Sequence, residues 1–188
     1  SLLGDQVLYA VKRHEPDSAY TMNARVVELF RTVGIPKPGR RVNEYPHQRS
    51  GGMKQRVMIA MALAGRPEVL IADEPTTALD VTIQAQVLEV LRDVQRQTGM
   101  TILMITHDLG VVAEMADEVG VMYAGQLIER AAVKDFFSSP KHPYSQKLFS
   151  SLPSNDKRAE SLEIIPGIVP ALNQYFSGCR FAERCALR

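Results

Sequence analysis

Four apolar residues in a row, Val69-Leu70-Ile71-Ala72, run straight into two adjacent carboxylates, Asp73 and Glu74, and then Pro75. No polar residue alternates within the run, as it would in a strand with one wet face. The stretch reads as a strand buried on both faces of a parallel sheet, with Pro75 as its stop. A second apolar run, Met100 to Ile105, follows an amphipathic segment from Ile83 to Gln97 and a stop at Gly99. In that segment Ile83, Val87, Val90, Leu91 and Val94 share one helical face. Strand, helix and strand in this order are α/β architecture. Ligands in such open sheets bind beyond the carboxyl ends of the strands. Asp73 and Glu74 stand at one such end, and Thr106-His107-Asp108 at the other.

A carboxylate at that place suits Mg²⁺ held through water beside phosphates. A second carboxylate next door can orient or deprotonate an attacking water. Taken alone, the pair is also what a solvated strand end looks like. His107 has two readings. It is a loop histidine beside Asp108, which caps a helix from Leu109 to Ala116, or it is a donor to a γ-phosphate. Asp73-Glu74 at the neighbouring strand end favours the second. Asp80 suits the N-cap of the helix that follows it.

Upstream lies Ser50-Gly51-Gly52-Met53-Lys54-Gln55-Arg56. Ser50 is a helix N-cap, with the helix running from about Gly52 to Ala64. Gly51 and Gly52 carry no Cβ, so another group can approach the backbone closely. The helix start offers free N–H groups, a natural seat for a phosphate. Lys54 and Arg56 add positive charge in the first turn, which is unfavourable for the helix alone and relieved by an anion. The plainer alternative is a capped helix with a tight turn.

The ordered set Ser50-Gly51-Gly52, Asp73-Glu74-Pro75, Ala78-Leu79-Asp80 and Thr106-His107-Asp108 resembles the signature, Walker B, D-loop and switch-histidine motifs of ATP-binding cassette (ABC) ATPases. The resemblance implies a partial P-loop NTPase fold with a helical signature subdomain at 1–65 and the C-terminal part of the ATPase core at 66–137. It implies ATP and Mg²⁺ as cofactors, with Asp73 on the metal through water, Glu74 on the attacking water and His107 on the γ-phosphate. Ser50, Gly51, Gly52 and Met53 would bind ATP held by a second ATPase subunit in a head-to-tail dimer, and Asp80 would couple the two sites. Arg49 stands where the family usually has leucine, and Met53 where glutamine is common.

Residues 138–188 resemble the C-terminal extension of the oligopeptide, dipeptide and nickel importer branch, through Ser139-Pro140-Lys141-His142-Pro143-Tyr144-Ser145, Ile165-Pro166-Gly167-Ile168-Val169-Pro170 and Gly178 to Cys185. The partners this implies are two transmembrane permease subunits and, indirectly, an extracytoplasmic peptide-binding protein. The implied place is the cytoplasmic face of the membrane. Some members of that branch bind an iron–sulfur cluster through four cysteines. Cys179 and Cys185, the only cysteines here, are the candidate ligands; two thiolates cannot close a four-thiolate site, so a cluster needs further ligands from a longer chain, and two reduced thiols in a loop are the plainer alternative. Two rival readings are a soluble ABC ATPase without membrane subunits and a non-catalytic interaction module.

The remaining sequence narrows the class. Twenty-two basic and 21 acidic residues leave a net charge of +1, which suggests no nucleic-acid surface. No apolar run approaches the ~18 residues of a membrane span. A helix is expected from Met22 to Val33, ended by Gly34, with a turn over Ile35 to Gly39. His14 to Ser18 reads as a polar break, and His47 as a surface residue. Glu118 to Tyr123 and Gln126 to Arg130 read as a hairpin about Ala124-Gly125. A short helix is expected over Ala131 to Phe137, and another from Ser145 to about Leu152, stopped by Pro153. No G-x-x-x-x-G-K-[ST] occurs in the sequence. Together with the uncapped apolar start at Leu2 and Leu3, this reads as a chain that begins downstream of the phosphate loop. The expected results are a weak own half-site for ATP and an exposed apolar sheet surface.

Overall fold

The computed structural model describes residues 2–14, 19–44, 51–151, 165–171 and 173–187. These fall into two compact units, residues 1–107 and 108–188. The expectations placed on Glu15 to Ser18, His47 to Ser50, Leu152 and Pro153 lie outside the described residues.

The first unit holds α1 (Leu3–His14), α2 (Ala19–Thr32), α3 (Pro38–Arg41), α4 (Gly51–Leu63), β1 (Val69–Asp73), α5 (Val81–Thr98) and β2 (Thr101–Ile105). Helices α1, α2 and α4 pack on one another, and α4 packs on α5. Their buried faces carry Leu3, Val7 and Val11, then Val26, Leu29 and Phe30, then Val57, Ala60 and Leu63. The start of α1 does have a cap: the Asp5 carboxylate accepts the Leu2 N–H at 2.9 Å, half of a capping box. Helix α2 ends in a Schellman arrangement about Gly34, whose φ is 69°. Ile35 N–H donates to Phe30 O at 2.9 Å and Gly34 N–H to Arg31 O at 3.0 Å, satisfying two terminal carbonyls. The turn expected after it continues into the short α3, led by Lys37 in the left-handed region and Pro38.

Strands β1 and β2 pair in parallel, from Val69 opposite Thr101 to Asp73 opposite Ile105, with α5 as the crossover. Asp80 caps α5 by accepting the Ile83 N–H at 2.9 Å, and Gly99 closes it at φ 71°. Burial on both faces, expected from the unbroken apolar run, is not what the strand shows. Leu70 and Ala72 are buried, but Val69 and Ile71 are exposed, and so are Leu103 and Ile105 on β2. The sheet of this unit is two strands wide, and among the described residues only one of its faces is covered.

The second unit holds α6 (Leu109–Met115), β3 (Glu118–Tyr123), β4 (Gln126–Ala132), α7 (Val133–Ser138), α8 (Pro143–Ser150) and a 3₁₀ turn at Ala182–Arg184. Asp108 caps α6 through the Gly110 and Val111 N–H groups. Strands β3 and β4 form the expected hairpin; Ala124 (φ 46°) and Gly125 (φ 77°) give it a type I′ turn. A bulge falls at Val121/Met122. The core is Val119, Val121 and Phe136, joined by Leu109, Val112, Ile128, Phe137, Tyr144 and Phe149. Ala131 and Ala132 belong to β4, not to the following helix. They pair with Val119 and Glu118, and α7 starts only at Val133, whose N–H donates to Asp117 O at 3.0 Å.

The His-Pro-Tyr segment opens α8. His142 is the N-cap, its Nδ1 accepting the Tyr144 N–H at 3.0 Å, and Pro143 takes the first helical position. The Glu129 carboxylate accepts the N–H groups of Lys141 (2.7 Å) and His142 (2.9 Å), fixing the approach to that helix. Segments of 165–171 and 173–187 return to the hairpin. Phe181 is buried against the Tyr123 and Tyr144 rings. Arg184 spreads its guanidinium over Pro166 O (2.7 Å), Ile165 O (3.0 Å) and the Tyr123 hydroxyl (3.1 Å). Arg180 donates to Ala124 O in the hairpin turn.

Candidate functional site

The parallel pairing of β1 and β2 brings Glu74 and His107 together at the carboxyl ends of the two strands. The ladder runs one residue beyond β1, with Glu74 N–H donating to Ile105 O at 2.9 Å. There the chain turns sharply. Glu74 adopts φ 47°, a left-handed conformation that costs a non-glycine residue about 1 kcal/mol or more. Pro75 follows, and Thr77 N–H returns to Glu74 O at 3.2 Å.

Both carboxylate oxygens of Glu74 are held. Oε1 lies 2.7 Å from His107 Nδ1, and Oε2 accepts the Thr77 hydroxyl at 2.8 Å. A carboxylate only accepts, so the proton of the first bond sits on Nδ1. The bond from His107, then that from Thr77, holds the Glu74 carboxyl below the usual carboxylate range; partial desolvation opposes them. Glu74 is therefore an ionised acceptor at neutral pH. The His107 side chain remains 83% exposed and that of Glu74 36%. A ligand beyond the strand ends can reach both.

Asp73 ends β1 with its side chain exposed, beside Glu74. Among the described residues no group of three or more His, Cys, Asp or Glu side chains converges. One or two carboxylates with water and phosphate completing the shell is how Mg²⁺ is ordinarily bound, so this donor set fits that ion.

Gly51 and Gly52 open α4. Gly51 is exposed, with only Leu79 Cδ2 near the place a Cβ would take, at 3.0 Å. Gly52 is buried, and the group that approaches it is Ile83 of α5. A Cβ there would meet Ile83 Cγ2 at 2.3 Å. Met53 is half-buried and Lys54 exposed. Arg56, read as a charge for an anion, instead donates to Val33 O (2.8 Å) and Gly34 O (3.3 Å) at the end of α2. Ser50 lies outside the described residues.

Among the described residues Cys179 and Cys185 converge with no set of three or more His, Cys, Asp or Glu side chains. Cys179 is exposed and Cys185 half-buried, and both are free thiols. Cys179 Sγ lies 3.9 Å from His142 Nε2, whose ring is already committed to capping α8. Two thiols and one imidazole do not fit a four-thiolate iron–sulfur centre.

Thr77 is the residue that sequence reasoning missed. It was part of a polar loop from Thr76 to Asp80. The available signal was its position three residues after Glu74 across a proline, the closing position of a β-turn.

Two family profiles match the chain: "ABC transporter" over residues 4–77 and "Oligopeptide/dipeptide transporter, C-terminal region" over residues 128–188. The chain is 51% identical over 183 residues to the dipeptide transport ATP-binding protein DppD of Haemophilus influenzae, covering 97% of this chain and 56% of that protein. It is 51% identical over 174 residues to the oligopeptide transport ATP-binding protein OppD of Lactococcus lactis subsp. cremoris, covering 92% and 51%. It thus spans about half the length of the curated relatives it matches. Among solved structures, a dimeric bacterial ABC transporter cassette superposes with a TM-score of 0.61 at 27% identity, over 71% of this chain and 57% of that one.

Proposed function

The chain belongs to the ABC transporter ATP-binding family, and on that premise we propose that it is part of the ATPase subunit of a peptide importer. The observation that carries the proposal is the Glu74–His107 contact of 2.7 Å at the carboxyl ends of two parallel strands. The intact subunit hydrolyses ATP to ADP and phosphate and couples this to uptake of dipeptides, oligopeptides or nickel. It works at the cytoplasmic face of the membrane, paired with a second ATPase subunit and two permease subunits, with an extracytoplasmic peptide-binding protein delivering cargo. No described helix is long and apolar enough to cross a membrane.

Each residue has a role in that reaction. Glu74, ionised and held at both oxygens, takes the proton of the attacking water. His107, fixed by β2 and widely exposed, donates to the γ-phosphate and steadies charge there. Asp73 would hold Mg²⁺ through water, and the ion, when bound, neutralises charge on the phosphates. Ser50, Gly51, Gly52 and Met53 would face the ATP of the partner subunit, and Asp80, at the head of α5, would link the two sites. Residues 1–65, 66–137 and 138–188 act as the signature subdomain, the core segment and the importer-type extension.

The test is Glu74→Gln in the full-length subunit assembled with its membrane partners. Turnover should fall by about 10²- to 10⁴-fold while ATP binding persists, since the amide keeps the shape but cannot take a proton. Turnover at the parent rate would remove Glu74 from the role of base.

A further inference from the structure

We propose that Thr77 is a positioning residue that aims the Glu74 carboxylate at the attacking water. The inference rests on the reading of Glu74 as the base and adds a residue to it. Glu74 sits where the backbone is strained, at φ 47°, directly after the last strand pair. A side chain at such a corner is not fixed by the sheet. Of its two oxygens, Oε1 is bound by His107, and His107 must also serve the phosphate. His107 therefore has a second partner to serve, and its hold on Oε1 is lost in any step in which the ring turns to that partner. The Thr77 hydroxyl on Oε2, at 2.8 Å, comes from the same turn as Glu74. It spans only three residues and is independent of the strand that carries His107. The turn is closed by its own backbone bond from Thr77 N–H to Glu74 O. The hydroxyl therefore stays beside the carboxylate whenever the turn is formed, and leaves Oε1 as the oxygen that faces water when His107 departs.

The turn does not need the hydroxyl to exist. Pro75 restrains its φ, and Pro75 and Thr76 are buried. Thr77 itself is exposed. Valine at 77 keeps the branched shape and the backbone bond and removes only the donor. This separates aiming from folding.

The experiment uses the full-length subunit with its membrane partners and compares Thr77→Val, Thr77→Ser and the parent, each alone and combined with Glu74→Gln. Thr77→Val should lower kcat between about tenfold and a hundredfold, the penalty of a misdirected reacting group, with KM for ATP and the thermal midpoint unchanged. Thr77→Ser should restore kcat to within about threefold, because serine supplies the same donor. In the Glu74→Gln background, Thr77→Val should cost nothing further, since both changes act through one carboxylate. Parent kcat in Thr77→Val overturns the proposal. So does a loss that serine fails to restore, a loss carried by KM, or a further loss on top of Glu74→Gln. Parent turnover in Glu74→Gln alone is a separate failure: it overturns the assignment of the base, and the role of Thr77 falls with it.

Discussion

At the scale of single residues, carboxylates organise both units. Glu74 ties two strand ends together, and Glu129 does the corresponding job ahead of α8. Burial pushes the Glu129 carboxyl up. The Lys141 N–H, the buried Ser145 hydroxyl nearby and the His142 N–H together outweigh it and leave the group below its ordinary value. The Ser145 hydroxyl makes no hydrogen bond of ordinary geometry among the described residues, so the two backbone N–H groups are the firm partners of Glu129. A depressed carboxyl contributes stability above its unfolded value, near 4.5, and loses it as pH falls through the folded value. The start of α8 should therefore loosen as pH drops below about 4.5. Amide hydrogen exchange at Lys141, His142 and Tyr144 reads this directly. Protection that falls with pH in the parent but is already low and flat in Glu129→Gln is the expected outcome; equal pH dependence in both would show that another group is responsible. His142 illustrates what a sequence conceals at this scale. The His-Pro-Tyr run is visible by eye, but the imidazole's use as an N-cap acceptor depends on a ring orientation that only the fold sets. Glu74 and His107 were legible because adjacent parallel strands bring their carboxyl ends together. Thr77 was not, because its partner depends on one left-handed φ.

At the scale of elements, the sequence patterns located α2, α4, α5 and both sheets' strands to within a few residues. The errors have physical causes. Ala131 and Ala132 suit a helix by propensity, yet cross-strand pairing with Val119 and Glu118 keeps them extended. Arg56 looked like an anion ligand because its helix position was known and its partners were not; the carbonyls that end α2 take it. Gly52 shows competing terms between elements. In an open helix, alanine for glycine gains up to about 1 kcal/mol. Here the added Cβ lands on Ile83, and overpacking of that kind costs about 1–3 kcal/mol. Gly52→Ala should lower stability by about 1 kcal/mol net, measured by denaturant midpoint. In an Ile83→Ala background, which lacks the clashing Cγ2, Gly52→Ala should cost less than it does in the parent. A Gly52→Ala protein more stable than the parent would mean that α4 and α5 separate at no cost.

At the scale of the whole molecule, the unbroken apolar run at 69–72 predicted a sheet covered on both faces, and among the described residues one face is covered. Val69, Ile71, Leu103 and Ile105 form an apolar strip on the open face. Such strips drive association. The 188-residue chain should bind an apolar dye and self-associate with rising concentration. Ile71→Lys, placed in the middle of the strip at a side chain 65% exposed, should reduce both. Sedimentation of the two proteins at matched concentrations settles it; identical behaviour would locate the association elsewhere.

The strained corner at Glu74 has a consequence for the history of the chain. Glycine would occupy that backbone conformation more cheaply, and one base change in a glutamate codon produces it. Under drift without selection, the substitution would be both accessible and stabilising. A lineage that had ceased to hydrolyse anything would tend to shed its glutamate at this corner. The glutamate at this corner stands against a conformational cost of about 1 kcal/mol or more, which a use for its carboxylate would balance.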